Sequence, residues 1–212
     1  MNRLRVGVLA SGRGSNLQAI LDSARRGDID VEVVVVVSDV ADAVALERAR
    51  AAGVPALHVP PGRFRTKLTP EAEEEYASTL GRHGAEVVAL AGFMRILHSG
   101  FLDRFPGRVV NIHPSLLPAF PGLNAQRQAL EYGVRWSGAT VHFVDAGVDA
   151  GPVILQAAVP VLPEDSAESL AERILREEHR IYPEALQLIA ERRLAVEGRR
   201  VRILPRGGGS AP

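Results

Sequence analysis

The chain of 212 residues contains no cysteine. It can therefore form no disulfide, carries no thiolate nucleophile and offers no sulfur ligand to zinc. Neither sign of charge is in excess, because 25 Lys and Arg residues balance 25 Asp and Glu residues. Nucleic acids and anionic membrane surfaces attract chains with surplus positive charge, so this balance argues against both as partners.

Long apolar runs are also missing. The run from Val6 to Ala10 is too short for a signal peptide, and no stretch approaches the roughly 20 apolar residues that span a bilayer. We therefore expect no membrane association and a cytoplasmic location. The six histidines show no metal-ligand spacing such as H-E-x-x-H, so no metal site is expected either.

The first half of the chain alternates short apolar runs with segments of helical periodicity. Strands are predicted over 4–10, 33–37 and 86–91, and helices over 15–24, 41–52 and 71–84. The unbroken β-branched run over 33–37 is typical of a strand buried on both faces of a parallel sheet. The pattern predicts an α/β fold with a doubly wound, mostly parallel, Rossmann-like sheet.

The second half is less regular. Strands are predicted over 109–112, 140–144 and 153–161, and helices over 126–132 and from Asp165-Ser166 towards Arg193, the latter bent at Pro183. The sequence contains no repeat and no linker, so a single domain is predicted over residues 1–204. Residues 205–212 have nothing to bury and are predicted to be disordered.

A glycine-rich segment, Ser11 to Leu17 (SGRGSNL), joins the first predicted strand to the first predicted helix. The free N–H groups at a helix N-terminus attract anions, and the segment lacks the lysine of a triphosphate-binding loop. It therefore suits a single phosphate. The alternative is a tight turn in which Ser15 merely caps the helix.

Asn111 and His113 lie two residues apart at the end of a predicted strand, so they point to the same side. An amide donor beside an imidazole can stabilise an oxyanion and move a proton. In isolation such a pair more often satisfies backbone groups, but binding sites in open α/β sheets lie at the carboxyl ends of strands.

Two carboxylates have open interpretations. Asp149 follows a predicted strand in a glycine-bracketed turn, where it either bonds its own backbone or faces His113 and stabilises a protonated ring. Glu178 interrupts the apolar stripe of the last helix, and a buried carboxylate needs a partner. That partner is either a ligand or a core arginine in a structural ion pair.

Several segments, taken together, resemble the phosphoribosylglycinamide formyltransferase family of purine synthesis. The matching segments, in the order of the family, are 11–17 (SGRGSNL), 91–97 (AGFMRIL), 111–118 (NIHPSLLP), 138–144 (GATVHFV), 148–156 (VDAGPVILQ) and 178–183 (EHRIYP). The resemblance implies that the formyl group of 10-formyltetrahydrofolate passes to the amine of glycinamide ribonucleotide by direct attack, through a tetrahedral intermediate.

The resemblance also implies roles for individual residues. Asn111, His113 and Asp149 would be catalytic, and Gly14, Ser15, Asn16 and Glu178 would bind the nucleotide. The residues that would bind the folate are Lys67, Met94, Arg95, Ile96, Leu97, Asn111, Asp145, Ala146, Gly147, Val148 and Asp149. Lys67 departs from the arginine of bacterial examples, and Gln126 replaces a histidine common in its loop.

Three other functions compete with this one. A methionyl-tRNA formyltransferase would carry a second, basic C-terminal domain. A hydrolase that releases formate from the same folate would carry an N-terminal regulatory domain and another residue at Pro114. A non-catalytic binding module would not depend on His113 for any turnover. We expect small-molecule partners only, and a monomer or homodimer.

Overall fold

The computed structural model describes residues 3–206, and within them seven strands form one sheet in the order β3-β2-β1-β4-β5-β6-β7. The strands are β1 (Leu4–Leu9), β2 (Val31–Ser38), β3 (Ala56–His58), β4 (Val87–Leu90), β5 (Val109–His113), β6 (Trp136–Phe143) and β7 (Val153–Pro160). Pairs from β3 to β5 are parallel, whereas β6 runs antiparallel to both β5 and β7. The predicted mostly parallel sheet is confirmed.

Helices cover both faces of this sheet. They are α1 (Ser15–Arg26), α2 (Val44–Ala51), α3 (Pro70–Arg82), α4 (Ser99–Leu102), α5 (Ala125–Tyr132) and α6 (Ala167–Ala190). The apolar residues of α1, α2, α5 and α6 form one core with the sheet, and those of α3 and α4 form a second core on the opposite face. Because β2 is buried from both sides, its run of valines needs no polar face.

The structure departs from the predicted elements mainly at two short elements and at the end of the last helix. The three-residue β3 and the single-turn α4 have too little periodicity to be recognised in the sequence. The last helix begins after Ser166 as predicted and continues through Pro183, but it ends at Ala190 rather than near Arg193. The chain then forms a hairpin, β8 (Leu194–Glu197) and β9 (Arg200–Ile203), that the sequence analysis did not anticipate.

The predicted tail falls largely outside the described residues, which end at Arg206. Arg206 itself lies with Nη2 3.1 Å from Oε1 of Glu191. The division into a domain over 1–204 and a tail stays a prediction. Within residues 3–206, no helix combines the length and apolar character that crossing a membrane requires.

Candidate active site

The carboxyl ends of β1, β4 and β5 meet at one edge of the sheet. The chain leaves β1 to one side towards β2, and β4 lies on the other side, so a crevice opens where the strand order reverses. Two hydrogen bonds join the segments there: Ser11 N donates to Gly92 O at 3.0 Å, and Met94 N donates to Ser11 Oγ at 2.9 Å. The segments over 11–17 and 91–97, which the sequence singles out, are therefore neighbours, and β5 ends beside β4 at the same edge.

The loop after β1 leads directly into α1. Gly14 occupies the N-cap position with φ of +68°, a left-handed conformation that favours glycine. The interpretation of Ser15 as the cap is wrong, because Ser15 is already helical and no side chain caps α1. Within the described residues, the backbone N–H groups of Gly14, Ser15 and Asn16 donate no intramolecular hydrogen bond, which leaves them available to an anion.

Glu178 is buried on α6 and reaches this same helix end. Its Oε2 accepts a hydrogen bond from Nδ2 of Asn16 at 2.7 Å. Burial raises the pKa of Glu178, and the Asn16 hydrogen bond opposes that rise. The partner is thus an amide and not the core arginine considered above. Oδ1 of Asn16 is buried without a partner in the described structure, as befits a site that a polar ligand completes.

His113 is buried at the end of β5, and both of its ring nitrogens face acceptors. Nε2 lies 2.9 Å from the carbonyl oxygen of Phe120, and Nδ1 lies 3.3 Å from Oδ2 of Asp149. A carbonyl oxygen only accepts, so Nε2 carries a hydrogen. A doubly protonated ring satisfies both neighbours, whereas a neutral ring would turn a lone pair towards the carboxylate.

Asn111 lies directly opposite His142 in the antiparallel pairing of β5 with β6. His142 Nδ1 donates to Phe143 O at 2.8 Å, and Nε2 lies 3.2 Å from Asn111 Nδ2. Burial lowers the pKa of His142, with opposition from the Phe143 carbonyl and Asp149, so the ring is neutral at pH 7 and Nε2 accepts from the amide. One N–H of Asn111 is thereby fixed, and the other is left for a ligand.

His142 therefore orients the amide of Asn111. Its Nε2 also lies 3.7 Å from Oδ1 of Asp149, too far for a hydrogen bond. Nothing in the local sequence separates this histidine from any other on a buried strand. Its position opposite Asn111 depends on the register of β5 and β6.

Asp149 approaches His113 because its loop folds back over the strand ends. Its Oδ2 accepts from Gly122 N at 2.8 Å, and its backbone has φ of +51°, which is unusual for a residue other than glycine. In the same loop Asp145 Oδ1 accepts from Gly147 N at 2.9 Å, and Val148 is exposed. Asp149 therefore does more than form a turn.

The segment after β4 divides into exposed and buried side chains. Met94 and Ile96 are exposed, at 55% and 41%, whereas Leu97 belongs to the second core. Arg95 turns away, with Nε 2.7 Å from Asp39 Oδ2 and Nη1 donating to the carbonyl of Phe64. Only the backbone of Arg95 and Leu97 can meet a ligand in this arrangement.

Lys67 lies beside this segment. It pairs with Ile96 in a parallel bridge, and Ile96 N donates to Thr66 O at 2.9 Å. Its Nζ sits 4.8 Å from the centroid of the Phe64 ring, a cation–π contact at the surface. Lys67 is thus close to the exposed Ile96, and its ammonium group already contacts the ring of Phe64.

Comparisons with known proteins agree with this geometry. The formyl transferase family model matches residues 4–186. Phosphoribosylglycinamide formyltransferase of Escherichia coli is 45% identical over 192 residues, which cover 90% of this chain and 89% of the relative. The crystal structure of glycinamide ribonucleotide transformylase 1 from Symbiobacterium toebii superposes with a TM-score of 0.92 at 60% identity, over 96% of this chain and 95% of that one.

A longer relative matches as well. The trifunctional purine biosynthetic protein adenosine-3 of Drosophila melanogaster is 47% identical over 189 residues, which are 88% of this chain but only 14% of the fly protein. The family match spans most of the described structure and includes the strand ends and the crevice between them. This chain belongs to the formyl transferase family.

Proposed function

We propose that this enzyme transfers the formyl group of 10-formyltetrahydrofolate to the amine of glycinamide ribonucleotide, a step of purine synthesis. The observation that carries the proposal is the meeting, at one sheet edge, of a helix N-terminus without a side-chain cap, an Asn16–Glu178 pair and the Asn111–His113–Asp149 cluster. A phosphorylated amine and a formyl donor are the substrates that such a crevice serves. A cytoplasmic location and a monomeric or homodimeric state stay predictions from the sequence.

The nucleotide phosphate is proposed to bind the N–H groups of Gly14, Ser15 and Asn16. A helix N-terminus offers both hydrogen-bond donors and a partial positive charge to a phosphate. Glu178, on the neighbouring helix, is proposed to accept hydrogen bonds from the glycinamide or ribose part. Its bond to Asn16 holds the carboxylate beside the phosphate loop.

The folate is proposed to lie between the segment after β4 and the loop over 145–149. Exposed Met94, Ile96 and Val148 offer apolar surface to a flat ring, and unused backbone groups nearby offer donors and acceptors to its edge. Lys67 is proposed to meet the anionic end of the cofactor.

The folate supplies the formyl carbon. The amine nitrogen bonds to that carbon, the bond from the carbon to the folate nitrogen breaks, and the proton lost by the amine goes to the departing nitrogen. In this scheme the free N–H of Asn111 donates to the oxygen on which negative charge develops. A protonated His113 would stabilise the same charge, and Asp149 Oδ2, 3.3 Å from Nδ1, is placed to accept the hydrogen of that nitrogen.

The observed contacts constrain how His113 can reach this oxygen. Its Nε2 donates to Phe120 O at 2.9 Å, so direct donation requires Nε2 to exchange that acceptor for the substrate oxygen. While Nε2 remains bonded to Phe120 O, a protonated ring would stabilise the developing negative charge only through its own positive charge. Phe120, which sequence reasoning missed, lies in the positive-φ region at +55° and fixes the ring from the loop after β5.

Formyl transfer is tested by mixing the protein with both substrates and following the loss of formyl-folate. We expect the reaction to require glycinamide ribonucleotide. Formate release without nucleotide would instead support a hydrolase, and ligand binding without turnover would support a binding module. Omitting the nucleotide is therefore the decisive control.

Asn111→Ala and His113→Ala test the catalytic pair. Loss of one preorganised donor or of the nearby charge is expected to lower turnover by about 100-fold or more, with little change in thermal unfolding. Gln126→Ala, in the first turn of α5, serves as the matched control and should keep near-normal turnover. Near-normal turnover in His113→Ala would remove that residue from the mechanism.

A further inference from the structure

The second helix of the fold, α2, forms hydrogen bonds and a close packing contact with the glycine-rich loop over 11–17. Ala45 N donates to Gly12 O at 3.0 Å, and Arg48 Nε donates to Arg13 O at 2.8 Å. The loop is also pressed against the helix, since a Cβ on Gly14 would lie 2.8 Å from Ala45 Cα. Three consecutive loop residues are therefore held by one short helix.

Holding these carbonyl oxygens determines where the neighbouring N–H groups point. In a planar trans peptide, the C=O of one residue and the N–H of the next point in opposite directions. When Arg48 draws the Arg13 carbonyl towards α2, the N–H of Gly14 is turned away from α2. Ala45 acts in the same way on the peptide between Gly12 and Arg13.

Arg48 also ties the loop to α1. Its Nη1 donates to Gln18 Oε1 at 3.1 Å, and Gln18 Nε2 in turn donates to Asp22 Oδ1 at 3.1 Å. Because both acceptors of Arg48 are neutral oxygens, its positive charge adds to the positive end of the α1 dipole. Arg50, two residues further along α2, is exposed, and the hydrogen bonds to the loop and to Gln18 are made by Arg48 and not by Arg50.

We propose that Arg48 is a positioning residue for phosphate binding, which turns the Gly14 N–H towards the ligand and adds charge behind the loop. The inference rests on the proposed nucleotide site at Gly14, Ser15 and Asn16. Arg48 touches no substrate in this scheme. It acts through the peptide between Arg13 and Gly14, so its removal weakens recognition of the phosphate and spares formyl transfer itself.

The test compares Arg48→Met with Arg50→Met on the same helix. Arg48→Met is expected to raise KM for glycinamide ribonucleotide about tenfold or more, while kcat and KM for formyl-folate stay within about twofold of wild type. Arg48→Lys keeps the charge and one donor and should recover most of the affinity. Arg50→Met should behave like wild type.

A titration with inorganic phosphate measures the affinity of the loop for phosphate without catalysis. In wild type, phosphate should shift the backbone amide resonances of Gly14, Ser15 and Asn16, and in Arg48→Met the half-saturating concentration should rise about tenfold. An unchanged phosphate affinity in Arg48→Met would overturn the proposal. Equal increases in KM for both substrates would also overturn it, since they would indicate general damage to the fold.

The two proposals fail in different ways. If phosphate titrates the loop and Arg48→Met weakens it, but no formyl transfer occurs, then only the proposed function fails. If phosphate leaves the Gly14 amide of wild type unshifted, the nucleotide site and the role of Arg48 both fail. If wild type transfers the formyl group normally and Arg48→Met leaves KM for glycinamide ribonucleotide unchanged, only the positioning role of Arg48 fails.

Discussion

At the scale of single residues, the polar side chains of the crevice determine one another's hydrogen-bonding roles. The Phe143 carbonyl fixes the proton of His142 on Nδ1, and the free Nε2 then fixes the orientation of the Asn111 amide. Asp149 similarly joins His113 to Gly122. Each group is oriented before any ligand arrives, which is the condition for effective electrostatic stabilisation of a transition state.

Glu178→Gln is expected to stabilise the folded chain at neutral pH while weakening nucleotide binding. Burial raises the pKa of Glu178, so the folded protein holds that proton more tightly than the unfolded chain does. The free energy of unfolding of wild type therefore rises as pH falls from above the raised pKa to the ordinary value of 4.5. Glutamine is already neutral and still offers Asn16 an oxygen.

Denaturant unfolding between pH 8 and pH 4 measures this difference. The advantage of Glu178→Gln should be largest at the upper end and should vanish towards pH 4, with about 1.4 kcal/mol for each pH unit by which the pKa is displaced. Glu172→Gln, an exposed position on the same helix, is the control and should show no such pH dependence. A constant difference at all pH values would mean that ionisation of Glu178 is not its source.

At the scale of elements, α6 connects the sheet to the nucleotide site. Tyr182 and Glu178 are one turn apart on its buried face. The Tyr182 hydroxyl shares its hydrogen between Leu90 O at 3.0 Å and Val110 O at 3.1 Å. The helix is thus tied to β4 and β5, the strands whose ends carry much of the proposed site.

Tyr182→Phe should lower the free energy of unfolding by about 1–3 kcal/mol, because it removes a fully buried hydrogen bond without changing the ring. Tyr132→Phe is the matched control: Tyr132 is 80% exposed, so loss of its hydroxyl should have little effect. Chemical denaturation of both variants gives the comparison. Equal small effects would show that the Tyr182 hydroxyl contributes nothing beyond what water can replace.

At the scale of the whole molecule, the proposed nucleotide site joins the loop after β1 to the distant helix α6. Asn16 and Glu178 are 162 positions apart in the chain, and their contact is buried. A ligand that binds both segments binds only the folded state. It should therefore stabilise the entire chain rather than one loop.

Glycinamide ribonucleotide at about 100 times its Kd should stabilise the fold by about 2.7 kcal/mol. For a chain of this size the melting temperature should rise by about 5–10 °C. The dephosphorylated nucleoside at the same concentration should raise it by less than about 1 °C, because the helix N-terminus then lacks its anion. Equal increases with both compounds would mean that the loop over 11–17 is only a turn.

Much of this architecture follows from local patterns. The valines of β2, the apolar stripe of α6 and the Ser166 cap depend on side-chain periodicity and capping, which operate over a few residues. The placement of Asn111 and His113 on one side of a strand end follows from the same alternation. Short elements such as β3 and α4 carry too few residues for any period to emerge.

The contacts that define the site depend on residues far apart in the chain, so only the tertiary structure decided them. Asn16 meets Glu178 because α1 packs on α6, and His142 meets Asn111 because β6 pairs with β5 in one register. The sequence by itself determined which side chains stand at strand ends and helix starts. Which of them touch was decided by the packing of helices on the sheet, since burial brings together whatever the topology places side by side.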